Sequence, residues 1–320
     1  YTVYEIKILY WTKPSTCDII ICWRKNRLIK DAAPDVLVIC LSPAVDRNYT
    51  LSELIPGGFH RCPDPVVSAG GKGVNVARVL ALLGAKVRLA GFFAGNSGHF
   101  ILDDLMKYGI DTKPVFIAGE TRSSINIIEK DNARETEILE QGPKADRDDL
   151  DQMTEVISEC LADREEGSCV VFSGGIPGGL GSDTYAKLIA KVSALGGKCF
   201  LDTSAEALMH GISAAPFFIK PNIREFSSVS GYALPSGDNI PESLRTGIAQ
   251  AARSLGITAV AVTLSDKGAV LCTDAGSWFA HPIPVLPVNT IGSGDSFTAG
   301  FVYGTANNEG MRGSLELATA

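Results

Sequence analysis

The chain has 320 residues, 45% of them apolar and 20% charged, the make-up of a globular protein long enough for one large α/β domain or two modest ones. Its formal net charge of −7 argues against wholesale binding to nucleic acid or an anionic membrane, so an anionic small substrate would need a local basic cluster. No apolar run reaches the roughly 18–20 residues that a membrane-spanning helix needs. Cys17, Cys22, Cys40, Cys62, Cys160, Cys169, Cys199 and Cys272 stand singly, without a CxxC pair, and read as reduced thiols of a cytoplasmic protein. His60, His99, His210 and His281 are scattered and show no metal-ligand spacing.

Residues 1–34 have no clear period and do not fit a signal peptide, because Arg and Lys follow the short apolar patch Ile19–Trp23. They are expected to be an extension, disordered or an artefact of the assigned start. Domain-like patterning begins at Asp35. Val36–Leu41 is a continuous apolar run, as in a buried strand, and it places Asp46 at the strand's carboxyl end, where open α/β sheets bind ligands. Residues 47–68 carry turn punctuation and read as strands of a small sheet.

In Ala69–Gly84 a glycine-rich start with Lys72 and Asn75 leads into Val76, Val79, Leu80 and Leu83, the i, i+3, i+4, i+7 pattern of an amphipathic helix. This is neither a P-loop nor a GxGxxG fingerprint. Gly70 and Gly71 let a ligand lie against backbone, Lys72 offers charge and Asn75 can meet hydroxyls. Val87–Phe93 is a strand and Phe100–Met106 belongs to a helix ending at Gly109. Thr112–Ile117 and Ser124–Glu129 are expected to pair, with Thr121-Arg122 as a mobile turn between them. There a guanidinium could grip phosphate, or simply be solvated. A helix over 146–161 and a strand over Cys169–Phe172 follow, the strand ending in a loop from Ser173 to Gly179. The alternation continues through helix 183–195, strands Cys199–Asp202 and Phe217–Lys220, helix 241–255, strand Ala259–Leu264 and two short strands over 269–272 and 277–280. This βα order predicts one doubly wound, mostly parallel sheet flanked by helices. The β-rich pieces at about 47–68 and 112–141 would form a small β-sheet lid.

Asn289–Phe301 opens with small residues and becomes helix-compatible. Free amides at such a helix start, with the positive end of its dipole, suit anionic oxygens. Asp295 inside that nest has two readings: a plain helix cap, or a base that takes a proton from an attacking hydroxyl while the amides of Gly292, Ser293 and Gly294 hold a moving phosphoryl group.

The ordered set Leu41–Asp46, Gly70–Arg78, Glu120-Thr121-Arg122, Ser173–Pro177, Lys220-Pro221-Asn222 with Glu225, and Gly292–Asp295 resembles the ribokinase-like, or phosphofructokinase-B, carbohydrate kinases. Within that family it looks most like the tagatose-6-phosphate kinase and 1-phosphofructokinase branch. The resemblance covers about residues 35–320. It implies an ATP-dependent kinase of a ketohexose phosphate, with a kinase of an unphosphorylated sugar or nucleoside, or a non-catalytic phosphosugar-binding protein, as alternatives. By resemblance, Asp46, Gly71 and Asn75 hold sugar hydroxyls, Lys72 and Arg122 hold the substrate phosphate, and Gly70 and Ser173 line the same site. Lys220, Asn222, Thr263, Ser265 and Gly268 lie along the nucleotide, and Asn222 and Glu225 position Mg²⁺ through water. Asp295 is the base, and the β lid closes the site and can supply a homodimer contact. Three departures stand out: Asn289 replaces an acid near a monovalent-cation site, Ser265 replaces the relatives' usual Gly, and Ala320 falls short of a final helix beside the adenine pocket.

Overall fold

The computed structural model describes residues 33–132, 134–232, 242–282 and 292–320, together with two short strands, β1 (Lys7–Ile8) and β2 (Ile21–Cys22), which pair antiparallel. The reading of residues 1–34 and the substitution at Asn289 otherwise lie outside the described residues.

Continuous apolar runs become strands buried on both faces, as expected of a helix-covered parallel sheet. Strands β3 (Asp35–Cys40), β6 (Lys86–Phe93), β7 (Asp111–Phe116), β10 (Cys169–Ser173), β11 (Lys198–Asp202), β12 (Phe218–Ile219) and β13 (Ala259–Thr263) are all parallel. Antiparallel β14 (Ala269–Thr273) and β15 (Gly276–Ala280) extend the edge beyond β13, giving the order β15-β14-β13-β12-β11-β10-β3-β6-β7. The winding reverses beside β3, so the carboxyl ends of β3 and β10 form the switch-point crevice where such sheets bind ligands.

Alternate residues feed two cores. Leu37, Ile39, Phe172 and Leu201 pack with α3 (Arg147–Ala162), α4 (Thr184–Ala194), α5 (Ala205–Ser213), α6 (Ile223–Ser230) and α7 (Glu242–Arg253). Val36, Val38, Val171 and Phe200 face α1 (Lys72–Leu82), α2 (Gly95–Met106), α8 (Ser293–Ala306) and α9 (Gly310–Thr319). Helices α5, α6 and α9 are absent from the sequence reading. Among the described residues no helix is long and apolar enough to cross a membrane.

A separate four-stranded sheet has the order β5-β4-β8-β9, from β5 (Val66–Gly70), β4 (Ala44–Leu51), β8 (Ser123–Glu129) and β9 (Arg134–Leu139). Two expectations need correction. Residues 112–117 do not pair with 124–129: β7 lies beside β6 in the main sheet, while β8 lies between β4 and β9. Alternation fixes which face a residue takes, not its partner, and Val115 and Ile117 find full burial only in the main core. Asp46 does not end a main-sheet strand either. It is the third residue of β4, two positions beyond Ala44, which pairs with Gly70 at the base of the small sheet.

Helices α8 and α9 touch backbone to backbone. A Cβ on Gly300 would lie 2.6 Å from the Leu317 carbonyl oxygen and 2.8 Å from Ala318 Cα. Helix propensity favours Ala over Gly by about 1 kcal/mol, but overpacking costs about 1–3 kcal/mol, so Gly300→Ala is expected to destabilise the fold on balance. A lowered midpoint in urea unfolding is the measurement; an unchanged or raised midpoint contradicts this packing.

Candidate active site

Helix α8 begins at Gly292, whose left-handed backbone (φ 80°) turns the chain so that the first amides face the crevice. Asp295, in the first turn, is 6% exposed and accepts a 2.9 Å hydrogen bond from Asn75 Nδ2 on α1. One turn on, Thr298 Oγ1 donates to Asp202 Oδ2 at 2.7 Å. The other oxygen of Asp202 faces Lys220 Nζ at 3.4 Å and Lys72 Nζ at 3.7 Å. One buried carboxylate at the end of β11 thus holds two ammonium groups beside a helix N-terminus, a local basic pair in an acidic protein. Lys220 Nζ comes within 3.3 Å of where a Cβ on Gly294 would stand, so this lysine borders the α8 amides as well as the start of α6.

Burial, reinforced by the charge of Asp202, pushes the Asp295 carboxyl up to about 6, against the opposing pull of Asn75, Lys72 and Lys220. Asp46 also rises to about 6 through burial, opposed by Arg78 and Arg122. Burial alone would lower Lys72, but the carboxylates of Asp202, Asp295 and Glu225 outweigh it and raise its pKa.

The turn from β5 into α1 explains the glycine pair. A Cβ on Gly70 would sit 2.0 Å from Asp46 Cγ, so glycine there makes room for that carboxylate. Gly71 takes φ 91° to bring Lys72 to the helix start. Arg122 is not on a mobile turn. Thr121 is buried, with Oγ1 accepting from the Ala94 amide at 2.8 Å, and Glu120 caps α2 by accepting from the amides of Asn96 (3.2 Å) and Ser97 (2.6 Å). Pinned this way, Arg122 is half-buried and its charge reaches Asp46. Ser173 pairs in register with Asp202 but is fully buried and its Oγ has no partner, which places it behind the crevice wall.

Asn222 and Glu225 form the capping box of α6. Asn222 Oδ1 accepts from the amides of Arg224 and Glu225, each at 2.9 Å, and Glu225 Oε2 accepts from the Asn222 amide at 2.8 Å. The Asn-x-x-Glu spacing was a legible sign of that cap. Thr263 bridges to Asn222, and the turn through Ser265 (φ 58°) and Gly268 (φ 97°) continues the same wall. The structure therefore gathers Asp46, Gly70, Gly71, Lys72, Asn75, Arg122 and Asp295 on one side, with Lys220, Asn222, Thr263, Ser265 and Gly268 running outward on the other. Asp202, Thr298 and Arg78 went unassigned in the sequence. For Asp202 the signal was a charged residue closing the apolar run Cys199-Phe200-Leu201 at the ligand end of the sheet. A separate cavity of about 410 Å³, lined by Arg88, Lys113 and Cys160, lies at the opposite end of the strands; both of its cations already pair with Asp111.

A family model for pfkB family carbohydrate kinases matches residues 36–320. The chain belongs to that family. The 1-phosphofructokinase of Escherichia coli (strain K12) is 30% identical to this kinase over 285 residues, 89% of this chain and 88% of the relative. The putative phosphofructokinase from Staphylococcus aureus superposes with a TM-score of 0.73 at 26% identity, covering 89% of each chain. Phosphofructokinase-2 from Escherichia coli, crystallised in complex with substrates and products, superposes with a TM-score of 0.80 at 24% identity, covering 90% of this chain and 91% of that one, a likeness of fold. The family and fold read from the ordered motifs are thereby confirmed.

The raised Asp295 value has a stability consequence. A carboxyl whose folded value exceeds its unfolded value near ~4 stabilises fully below that value and loses the contribution as pH rises through about 6. At pH 7.5 the kinase therefore bears the cost of a buried charge, and Asp295→Asn is expected to be more stable than the parent there by about 1–3 kcal/mol. The advantage should vanish near pH 4. Chemical denaturation at the two pH values tests this, and equal stability at pH 7.5 counts against it.

Proposed function

We propose that this kinase transfers the γ-phosphoryl group of ATP to a primary hydroxyl of a ketohexose phosphate, with fructose 1-phosphate as the favoured acceptor and tagatose 6-phosphate as the second candidate. The carrying observation is the buried Asp295 carboxylate, held by Asn75 at the amide-rich start of α8 with Lys72 and Lys220 alongside. The 30% identity to a 1-phosphofructokinase favours the first acceptor.

In this reading Asp295 accepts the hydroxyl proton as the new O–P bond forms. The α8 amides and Lys220 offset charge on the moving group, the main task in phosphoryl transfer. Arg122 and Lys72 hold the phosphate already on the sugar, and ionised Asp46 accepts its hydroxyls. The small sheet acts as a lid that excludes water, limiting wasteful hydrolysis of ATP. Among the described residues no cluster of three or more His, Cys, Asp or Glu side chains could hold a metal ion alone. Mg²⁺ keeps several waters and arrives with nucleotide phosphates, so it needs only one or two carboxylates from a protein. Glu225 fits, since its capping bond uses Oε2 and its charge reaches Lys72. Asn222 fits less well, because its side-chain oxygen already takes two amides. When bound, Mg²⁺ would supply electrostatic stabilisation of the phosphates.

A row of side chains on the lid is what favours reading it as a contact between copies. Val67, Ile125 and Ile138 fall in one row across its strands with Arg47, and Val67 and Ile138 are exposed. We read this row as the face for a second copy. Ile138→Asp should then shift the sedimentation profile toward monomer, and an unchanged profile removes the lid from any assembly.

Asp295→Asn should lower turnover by about 10²–10⁴-fold with little change in sugar KM. Arg122→Ala should raise KM for phosphorylated sugars and spare any slow action on free ones. A steady-state panel of both sugar types with Mg-ATP reads both effects. Near-normal turnover in the first variant, or equal losses on both sugar types in the second, rejects the corresponding role.

A further inference from the structure

We infer that Arg78 is a positioning residue for the proposed base: through the amide of Asn75 it fixes the orientation in which Asp295 is held. This rests on the reading of Asp295 as the proton acceptor.

Arg78 follows Asn75 by three positions on α1, and its Nη1 donates to Asn75 Oδ1 at 3.4 Å. A guanidinium has donors only, so the amide oxygen turns toward it and Nδ2 turns toward Asp295, donating at 2.9 Å. A flipped amide would set Oδ1 against the carboxylate and Nδ2 against the guanidinium, replacing two attractive contacts by two repulsive ones. A protonated Asp295 could meet either end of the Asn75 amide, whereas Arg78, a donor in every state, holds the same orientation before and after the proton moves.

Arg78 is itself clamped from outside the crevice. Its Nη2 donates to the Ala69 carbonyl and lies 3.7 Å from Asp104 Oδ2 on α2. Asp104 also accepts from the Ala69 amide at 3.0 Å and from Lys107 Nζ at 2.9 Å. The guanidinium carbon stands 5.3 Å from the ring centre of Tyr108. A chain of contacts therefore runs from α2 through α1 to the start of α8. The charged groups facing its inner end are Lys72 on α1, Asp202 at the end of β11 and Lys220 after β12. On the lid side Arg78 is the leading cation acting on Asp46, followed by Arg122, while Asp295 itself and Glu137 on β9 act on Asp46 as like charges. One guanidinium thus serves the carboxylate at each end of the proposed sugar site.

The test is the pH dependence of kcat and of sugar KM in Arg78→Gln and Arg78→Lys. In Arg78→Gln the acid limb of kcat should move up by about 0.5–1 pH unit, because Asp295 loses an enforced donor. Sugar KM should rise several-fold, because Asp46 loses its principal counter-charge. Arg78→Lys restores the charge, so KM should largely recover. A single ammonium does not reproduce the guanidinium fork to Asn75 and Ala69, so the limb should stay displaced. If Arg78→Gln fails to fold, Asp104→Asn loosens the clamp without touching α1 and should move the limb in the same direction by less. An acid limb at the parent's position in the folded variant overturns the inference. Should Asp295→Asn abolish turnover while that limb stays put, only the role of Arg78 falls; should Asp295→Asn keep turnover, the proposed base falls first.

Discussion

Two opposing electrostatic demands meet at the first turn of α8. A helix N-terminus favours an anion, and Lys72 and Lys220 add to that preference, yet Asp295 itself is buried and Asp202 adds a second negative charge. Burial and the neighbouring carboxylate win, and Asp295 ends near 6 rather than below 4. That outcome is chemically useful: the group is ionised at neutral pH and still basic enough to take a proton. Asp202 therefore does more than neutralise lysines. It restrains two ammonium groups while keeping the adjacent acid from being over-stabilised as an anion.

The rest of the crevice is built around what those charges require. The small sheet is joined directly to β3 on one side and to α1 on the other, so Asp46, Lys72 and Asn75 enter the site from one short stretch of chain turned back on itself. Gly70 leaves space for Asp46, and the cap that Glu120 places on α2 fixes the segment carrying Arg122. On the outer side, the same kind of cap made by Asn222 and Glu225 orients α6 beside Lys220. Capping and ligand binding are not exclusive uses of a carboxylate. A cap that fixes one oxygen of Glu225 also fixes where the other points.

Much of this was legible from residue order. Buried parallel strands read as unbroken apolar runs, α1 as an i, i+3, i+4 pattern, and turn glycines marked the ends, because those signals come from local geometry and from burial on known faces. The glycines just before Asp295 and the lysine after Gly71 pointed to an anion site for the same local reason. Pairing partners did not follow. Residues 111–116 and 123–129 have similar alternation, and their separation into two sheets depends on which core could accept Val115 and which could only half-bury Ile125 and Ile127.

The sequence by itself determined the layer architecture, the family and the glycine-rich helix starts that carry Lys72, Asn75 and Asp295, since each depends on chemistry a few residues wide. Only the tertiary structure decided that Asp202 would bind two lysines distant in the chain, that Thr298 would close that cluster, and that Arg78 would reach Asp295 through Asn75. Asn75 and Asp295 are separated by 220 positions, and their hydrogen bond exists because α1 and α8 pack on one face of one sheet. A carboxylate's proton affinity is set by everything within a few ångströms, and those neighbours are chosen by packing rather than by spacing along the chain.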